Sequence, residues 1–522
     1  MRNFETVLAL LVGVSFLALF ARRLSVPTPA MLLAGGLVAA LLPGLPAVHL
    51  DPQLVFLVFI PPLLFRTSLL ASYRDVRANL RPILLLGVGH VLFATAAVAW
   101  VSHAAIGLPW ASAVALGAVV SPPDVAAATA FLRRLPMPRR VVTILEGESM
   151  VNDAAAIVTY RMAVAAAVTG TFSFAEGTVR FLVVSAGGVC VGLLAGWAID
   201  LVRRRLHDPE VENTISLLSG YAAYIPAEHL GASGVLAVVT AGLYLSRVGP
   251  RYVAADTRVQ SRGMWDVVVF MLEGLIFIIT GLALRSLGPS LNATVVRATV
   301  LVALTVIVAR FVWVFPATYV PRALSPGLRT RDPSPPWQLP AVISWAGLRG
   351  GDSLVLAAAI PTLTAAGTPF PGRSEIIAIT YGVILITLLG LGFSLGPVLR
   401  WLGLRETGED DQREEHEARV RIAEAALARL QELAGEPWIE PSVLTRTRER
   451  YHHRAQRLKA RAEIASGAED GRSVAGRRLT RELLGAEREA LLRLRDAGAI
   501  GDRVMRRVQR DLDLEELLLD PA

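Results

Sequence analysis

Between positions 5 and 401 the chain is a succession of apolar stretches about as long as a bilayer is thick. A helix needs roughly 20 mostly apolar residues to cross the hydrocarbon core. Thirteen stretches answer to that rule, at about 5–21, 28–45, 53–70, 82–106, 109–133, 140–168, 179–202, 212–228, 231–247, 263–284, 293–320, 338–360 and 375–401. Lipid offers the backbone no hydrogen bonds, so segments of this kind must satisfy their own. The sequence therefore predicts an all-α membrane protein of about 13 transmembrane helices. Arg22-Arg23 follow the first stretch rather than precede it, and no small-residue cleavage site is present. It reads as a span, not a signal peptide.

Charge tests that reading. The 522 residues are 53% hydrophobic and 18% charged, with a net charge of +8. Such a basic excess suggests nucleic acid if taken blindly, but its placement is orderly. From Arg405 onward 23 basic residues face 25 acidic ones, so the excess belongs to the apolar part. Loops after odd-numbered spans hold 19 arginines: Arg22-Arg23, then Arg74, Arg77 and Arg81, then Arg133, Arg134, Arg139 and Arg140. The series continues with Arg203 to Arg205, then Arg247, Arg251, Arg258 and Arg262, then Arg322, Arg329 and Arg331. Loops after even-numbered spans hold only about five, and the positive-inside bias then makes the odd loops cytoplasmic. The N-terminus is expected outside, the tail inside, and the protein in the plasma (inner) membrane, with no nucleic-acid partner. One cysteine, Cys190, rules out an internal disulfide.

The chain divides into a membrane region, 1–404, and a polar tail, 405–522. The tail repeats apolar residues at helical spacing in "REEHEARVRIAEAALARLQELAG", breaks at Pro437 and Pro441, and resumes in an Arg-rich helix around 443–465. A third segment, "LTRELLGAEREALLRLRDAG", and an acidic end follow. This predicts a small helical cytoplasmic bundle or coiled coil without a nucleotide loop, cofactor or metal cluster.

Ionisable residues inside a bilayer are costly and mark ion paths. Span five carries Asp124 directly after Pro122-Pro123. Two prolines remove two donors and disfavour helix before them, so the helix should break at Ser121 and leave free carbonyls beside a carboxylate. Span six places Glu146, Glu148 and Asp153 in one apolar segment. Glu148 and Asn152 share a face, and Ser149 and Asp153 share the next. Buried carboxylates need partners, and Arg310, Arg349, Arg161 and Arg66 are the candidate cations. Span twelve sets Gly347, Gly350 and Gly351 around Arg349 and Asp352, which predicts a second discontinuous helix. Interrupted helices seven spans apart point to inverted repeats with a site at the midplane.

At these residues the sequence resembles the sodium/proton exchanger branch of the monovalent cation:proton antiporters. The resemblance rests on "IPPLLFRTSL", "VVSPPDVAAATA", "LEGESMVNDA" and "SWAGLRGGDSLVLA", in that order over about 300 residues of the membrane region. It implies thirteen helices, two crossing broken helices, a mobile core and a homodimer. It also implies that Asp153 binds cation and proton alternately, with Asp124 and Ser149 as ligands and Asn152 hydrogen-bonding nearby. Glu148 and Arg310 resemble the family's core ion pair, and Arg349 its arginine at the second break. Three departures stand out. Pro123 occupies the place of the family's usual Thr, Arg66 stands where a carboxylate is common, and Asp352 is an additional acid.

The expected function is exchange of Na⁺ or Li⁺, alternatively K⁺, for H⁺ by competition at Asp153, serving pH and sodium homeostasis. Electrogenic relatives have Asp-Asp and a membrane Lys whose proton also moves. Here Asn152 precedes Asp153, the one lysine is Lys459, and Arg310 keeps its proton. One-for-one electroneutral exchange is therefore expected. A channel or receptor is a weaker reading. An intramembrane aspartyl hydrolase using Asp124 and Asp153 is weaker still, because "RGGD" lacks the leading Gly of the protease signature. His90 reads as a packed, hydrogen-bonded core residue, and Glu273 as a residue that lines the cavity or pairs with an arginine.

Overall fold

The computed structural model describes residues 2–24, 26–42, 52–124, 139–170, 174–206, 208–287, 292–403 and 409–464, with short pieces between 482 and 512. Two compact units divide the chain, Met1–Glu406 and Thr407–Ala522. The first unit is built from α1 (Arg2–Arg23), α2 (Thr28–Leu41), α3 (Pro52–Leu70), α4 (Leu80–Ile106) and α5 (Trp110–Val120). There follow α6 (Arg139–Thr169), α7 (Phe174–Arg203), α8 (Pro209–His229), α9 (Gly234–Val248), α10 (Ala255–Leu282) and α11 (Ala293–Leu324). Last come two short helices, α12 (Gln338–Trp345) and α13 (Gly351–Ala358), and α14 (Arg373–Trp401). In the second unit α15 (Glu409–Glu432) packs on α16 (Pro441–Ile464). The third tail segment and the acidic end lie largely outside the described residues.

Seven of the described helices, α1, α4, α6, α7, α10, α11 and α14, are long and apolar enough to cross a membrane. α2, α5 and the Leu57–Leu70 part of α3 are shorter apolar helices. The expected count of thirteen is thus not met by length alone. The remaining expected spans are short, as the 15-residue α9, interrupted, as at α12 and α13, or, as the 21-residue α8, long without being apolar enough. The second half of span five, with Arg133 and Arg134, lies outside the described residues.

Outward faces carry large exposed apolar side chains, among them Phe16, Leu182, Val183, Leu194, Trp197 and Val308. That is the inverse of a soluble surface. Between helices the packing relies on small residues, as it must where lipid removes the hydrophobic drive. Gly188, Gly192 and Gly196 form one stripe on α7, and a Cβ at any of them would press on Ser233, Ala237, Ala241 or Tyr244 of α9 and its cap. Gly36 of α2 and Gly281 of α10 likewise bring two backbones into contact.

One ion cluster gathers the ends of three helices. Asp332, in the connection before α12, accepts from Arg81 of α4 (2.8 Å), Arg140 of α6 (2.8 Å) and Arg322 of α11 (2.7 Å). Partial burial pushes its carboxyl up, but the three guanidiniums prevail and hold it below the ordinary value. A lowered folded value means stabilisation that is complete above the ordinary carboxylate value, about 3.9, and lost as pH falls through the folded one. Asp332→Asn is expected to lower the thermal midpoint of the detergent-solubilised protein at pH 7. The gap to the unsubstituted protein should close on acidification below pH ~4.

Candidate functional site

The site is built where two helices stop. α5 ends at Val120, Ser121 caps it, and the chain is non-helical at Pro123 and Asp124. Pro122 and Pro123 supply no N–H groups, so the helix has no donors with which to continue. The second stop separates α12 from α13, with Ala346 to Gly350 non-helical between them. The two breaks meet: the Asp124 N–H donates to the Leu348 carbonyl at 2.7 Å.

Arg349 binds the breaks together. Its side chain is buried and donates through Nε to the Val120 carbonyl (2.8 Å), through Nη2 to the Ser121 carbonyl (3.0 Å) and through Nη1 to the Gly347 carbonyl. Its own N–H donates to Thr387 Oγ1 at 3.3 Å. Unwound carbonyls at membrane depth need donors, and one cation supplies three. Thr387 was not singled out from the sequence. It sits in a π-helical turn of α14, Ile386–Leu391, and a lone hydroxyl in the apolar run "LITLLGLGF" is the signal that could have found it.

Beside the crossing lies a buried ion pair. Arg310 of α11 grips Glu148 of α6 with both terminal nitrogens, Nη1 to Oε1 and Nη2 to Oε2 (2.8 Å), at exposures of 1% and 0%. Arg310 also reaches the Ile343 carbonyl (3.2 and 3.3 Å) and approaches His90 Nδ1 (3.4 Å), which a π-helical turn of α4 presents. One turn beyond Glu148, Asn152 donates from Nδ2 to the Pro123 carbonyl at 2.8 Å, tying α6 to the first break.

The remaining carboxylates converge. A Cβ built on Gly350 would overlap Oδ2 of Asp124 and lie 2.6 Å from Oδ1 of Asp352. Oxygens from two different broken segments therefore face one point, and glycine is what admits them. Asp153 follows Asn152, whose bond to the Pro123 carbonyl brings this stretch of α6 to the first break. Asp124, Ser149, Asp153 and Asp352 are half-buried, whereas Glu148, Asn152, Arg310 and Arg349 are buried. The accessible positions hold carboxylate and hydroxyl oxygens, and the inaccessible ones hold paired or hydrogen-bonded groups. Gly351 packs against Ile276 and Thr280 of α10. Glu273 lies on that face of α10, at three- and seven-residue steps from them, and is half-buried.

Two candidate partners of the span-six acids are engaged elsewhere. Arg66 pairs with Asp266 of α10 at 2.9 Å, and Arg161 with Glu228 of α8 at 2.8 Å. Sequence spacing along α6 made Arg161 look available, but its side chain meets a neighbouring helix.

A polytopic helical membrane protein with two broken helices meeting around carboxylates defines a class of secondary transporters. The description of the sodium/hydrogen exchanger transmembrane family matches residues 7–401. The chain belongs to that family of cation/proton antiporters, which are multi-pass transporters rather than enzymes. It is 35% identical to an uncharacterised Na⁺/H⁺ exchanger of Mycobacterium tuberculosis (strain H37Rv) over 99% of this chain and 96% of that one. A sodium, potassium, lithium and rubidium/H⁺ antiporter of Bacillus pumilus is 33% identical over 78% of this chain and 62% of its own length. The fold is similar to the solved sodium proton antiporter MjNhaP1 of Methanocaldococcus jannaschii, with a TM-score of 0.64, 20% identity, and coverage of 77% of this chain and 99% of that one.

Two substitutions probe the geometry. Arg310→Ala leaves Glu148 charged and alone in the core and should cost about 3–5 kcal/mol of stability, read by thermal unfolding in detergent. Gly350→Ala puts a methyl group where Asp124 Oδ2 stands. It should leave a folded protein with little exchange, measured as Na⁺-driven pH change in proteoliposomes.

Proposed function

We propose that this protein exchanges a monovalent cation for a proton by alternating access, with Asp153 as the carboxylate that the two ions share. The observation that carries this reading is the convergence of Asp124 and Asp352 at Gly350, beside the Pro123 carbonyl to which Asn152, the neighbour of Asp153, is bonded. Facing one side, ionised Asp153 holds a dehydrated cation, with Asp124, Ser149 and carbonyls of the unwound segments replacing water. Facing the other, it releases the cation and takes a proton. Carbonyl and carboxylate oxygens that take the place of its hydration shell are what a stripped alkali cation requires. Glu148 with Arg310, Asn152 and Arg349 keep the crossing assembled, Asp352 adds negative charge, and Glu273 lines the approach along α10.

Na⁺ or Li⁺ is the proposed cation. The name of the Bacillus relative, which includes potassium, favours testing K⁺ beside them. The exchange is one for one and electroneutral, because Asn152 takes the place of a second carboxylate and no membrane lysine offers a second proton. In this reading residues 1–404 form thirteen spans with inverted repeats in the plasma membrane, working as a homodimer in pH and sodium homeostasis. The N-terminus lies outside, and residues 405–522 form a cytoplasmic tail.

In proteoliposomes, an imposed Na⁺ gradient should move protons at a rate unchanged by clamping the membrane potential, and Asp153→Asn should abolish that movement while inserting normally. Exchange by the Asp153→Asn protein, or a potential-dependent rate at saturating Na⁺, would contradict the assignment.

A further inference from the structure

Three guanidiniums answering to one carboxylate leave the Asp332 cluster with an excess of two positive charges. Arg81, Arg140 and Arg322 also line a cavity of about 50 Å³ whose other walls are largely apolar, among them Leu86, Ile144, Leu339 and Ile343. Arg322 is fully engaged, through Nε with the Asp332 carbonyl (3.1 Å), through Nη1 with the Thr318 carbonyl and through Nη2 with the Asp332 carboxylate. Arg81 is not: its Nη1 is buried and has no hydrogen-bond partner among the described residues. A buried guanidinium N–H without an acceptor costs free energy and calls for an anion or water to complete it. Arg140 donates through Nε to Asn79 Oδ1 (3.2 Å) and through Nη2 to Asp332, and the Arg81 and Arg140 side chains stay part-exposed, at 29% and 43%.

The surroundings fix the depth of this cavity. Trp337, two residues before the lining residue Leu339, stacks edge-on with Trp401 at 6.4 Å, and both rings are exposed. Exposed tryptophans mark the boundary between hydrocarbon and headgroups. Leu80 and Leu84 of α4 and Val320 and Leu324 of α11 are exposed apolar side chains near the same arginines, a surface suited to acyl chains.

We propose that Arg81 and Arg140, backed by the positive charge of Arg322, form a site for a phosphate anion, and that its occupant is the headgroup phosphate of an anionic phospholipid. Arginine is the side chain best matched to phosphate oxygens. The cavity wall includes Ile343, whose carbonyl accepts from Arg310, and Ile144, one turn before Glu148. A lipid seated there braces α4, α6, α11 and α12 next to the core ion pair. The site is independent of the ion assignment at Asp153, and its test does not read transport.

The full-length protein, purified in a neutral detergent, is titrated with phosphatidylglycerol, with phosphatidylcholine and with inorganic phosphate, and adducts are counted by native mass spectrometry. The expected result is selective retention of phosphatidylglycerol. The doubly substituted Arg81→Gln/Arg140→Gln protein should hold it on the order of tenfold more weakly. Asp332→Asn, which removes the competing carboxylate, should hold it more tightly, a change that misfolding does not produce. Equal retention of the two lipids, or unchanged phosphatidylglycerol affinity in both variants, would overturn the site. Binding of inorganic phosphate with the same order of variants, without selective retention of phosphatidylglycerol, would overturn the lipid as its source.

Discussion

The guanidinium of Arg349 is the contact on which the rest of the crossing depends. A buried cation costs several kcal/mol in desolvation unless its donors are matched, and an unwound segment at membrane depth carries carbonyls that need donors. Each requirement meets the other here. Arg349 donates to Val120 and Ser121 at the first break and to Gly347 at the second. The Asp124 N–H to Leu348 carbonyl bond then aligns the two segments. Held so, the second break presents Gly350, which has no side chain, to the Asp124 carboxylate. Remove the guanidinium and three carbonyls lose their donor together.

Around that point, burial separates two kinds of polar residue. Glu148, Arg310 and Asn152 are enclosed and engaged, and their bonds run from α11 through α6 to the Pro123 carbonyl. Asp124, Asp153, Asp352 and Ser149 remain half-buried. An ion that must arrive, lose water and leave again needs accessible oxygens on a frame that does not relax onto them. The π-helical turns of α4 and α14 belong to the frame, since they turn His90 toward Arg310 and Thr387 toward Arg349. Such turns insert a residue into the helical ladder and are favoured where a side chain must be aimed.

Much of this was legible in the sequence, for local reasons. Pro122-Pro123 and the glycines from Gly347 to Gly351 act on their own backbone, so both breaks were readable from their neighbours. The carboxylates stood out because an apolar segment makes any charge conspicuous. Pairing was harder to read. Four arginines were candidates for the acids of α6, and Glu148 took Arg310 because α6 and α11 both pack on α4, which brings the two side chains within reach. Arg161 and Arg66 were taken by Glu228 and Asp266 on helices whose neighbours no spacing rule specifies. The partners of Arg349 were hidden for a deeper reason, since two of its three side-chain acceptors are backbone carbonyls nearly 230 residues away. Helix length is a separate matter: a hydropathy window runs through breaks and short helices alike, whereas seven of the described helices are long and apolar enough by themselves.

One carboxylate serving two ions, as proposed for Asp153, is tested most directly by the rate of exchange as a joint function of Na⁺ and pH. Competition at a single site predicts that the apparent KM for Na⁺ rises as pH falls, approaching about tenfold per unit at the acid end. The maximal rate at saturating Na⁺ should stay constant across the same range. An apparent KM independent of pH, with acid lowering the maximal rate instead, would mean that proton and cation bind at separate places. Asp153 would then not be the shared group.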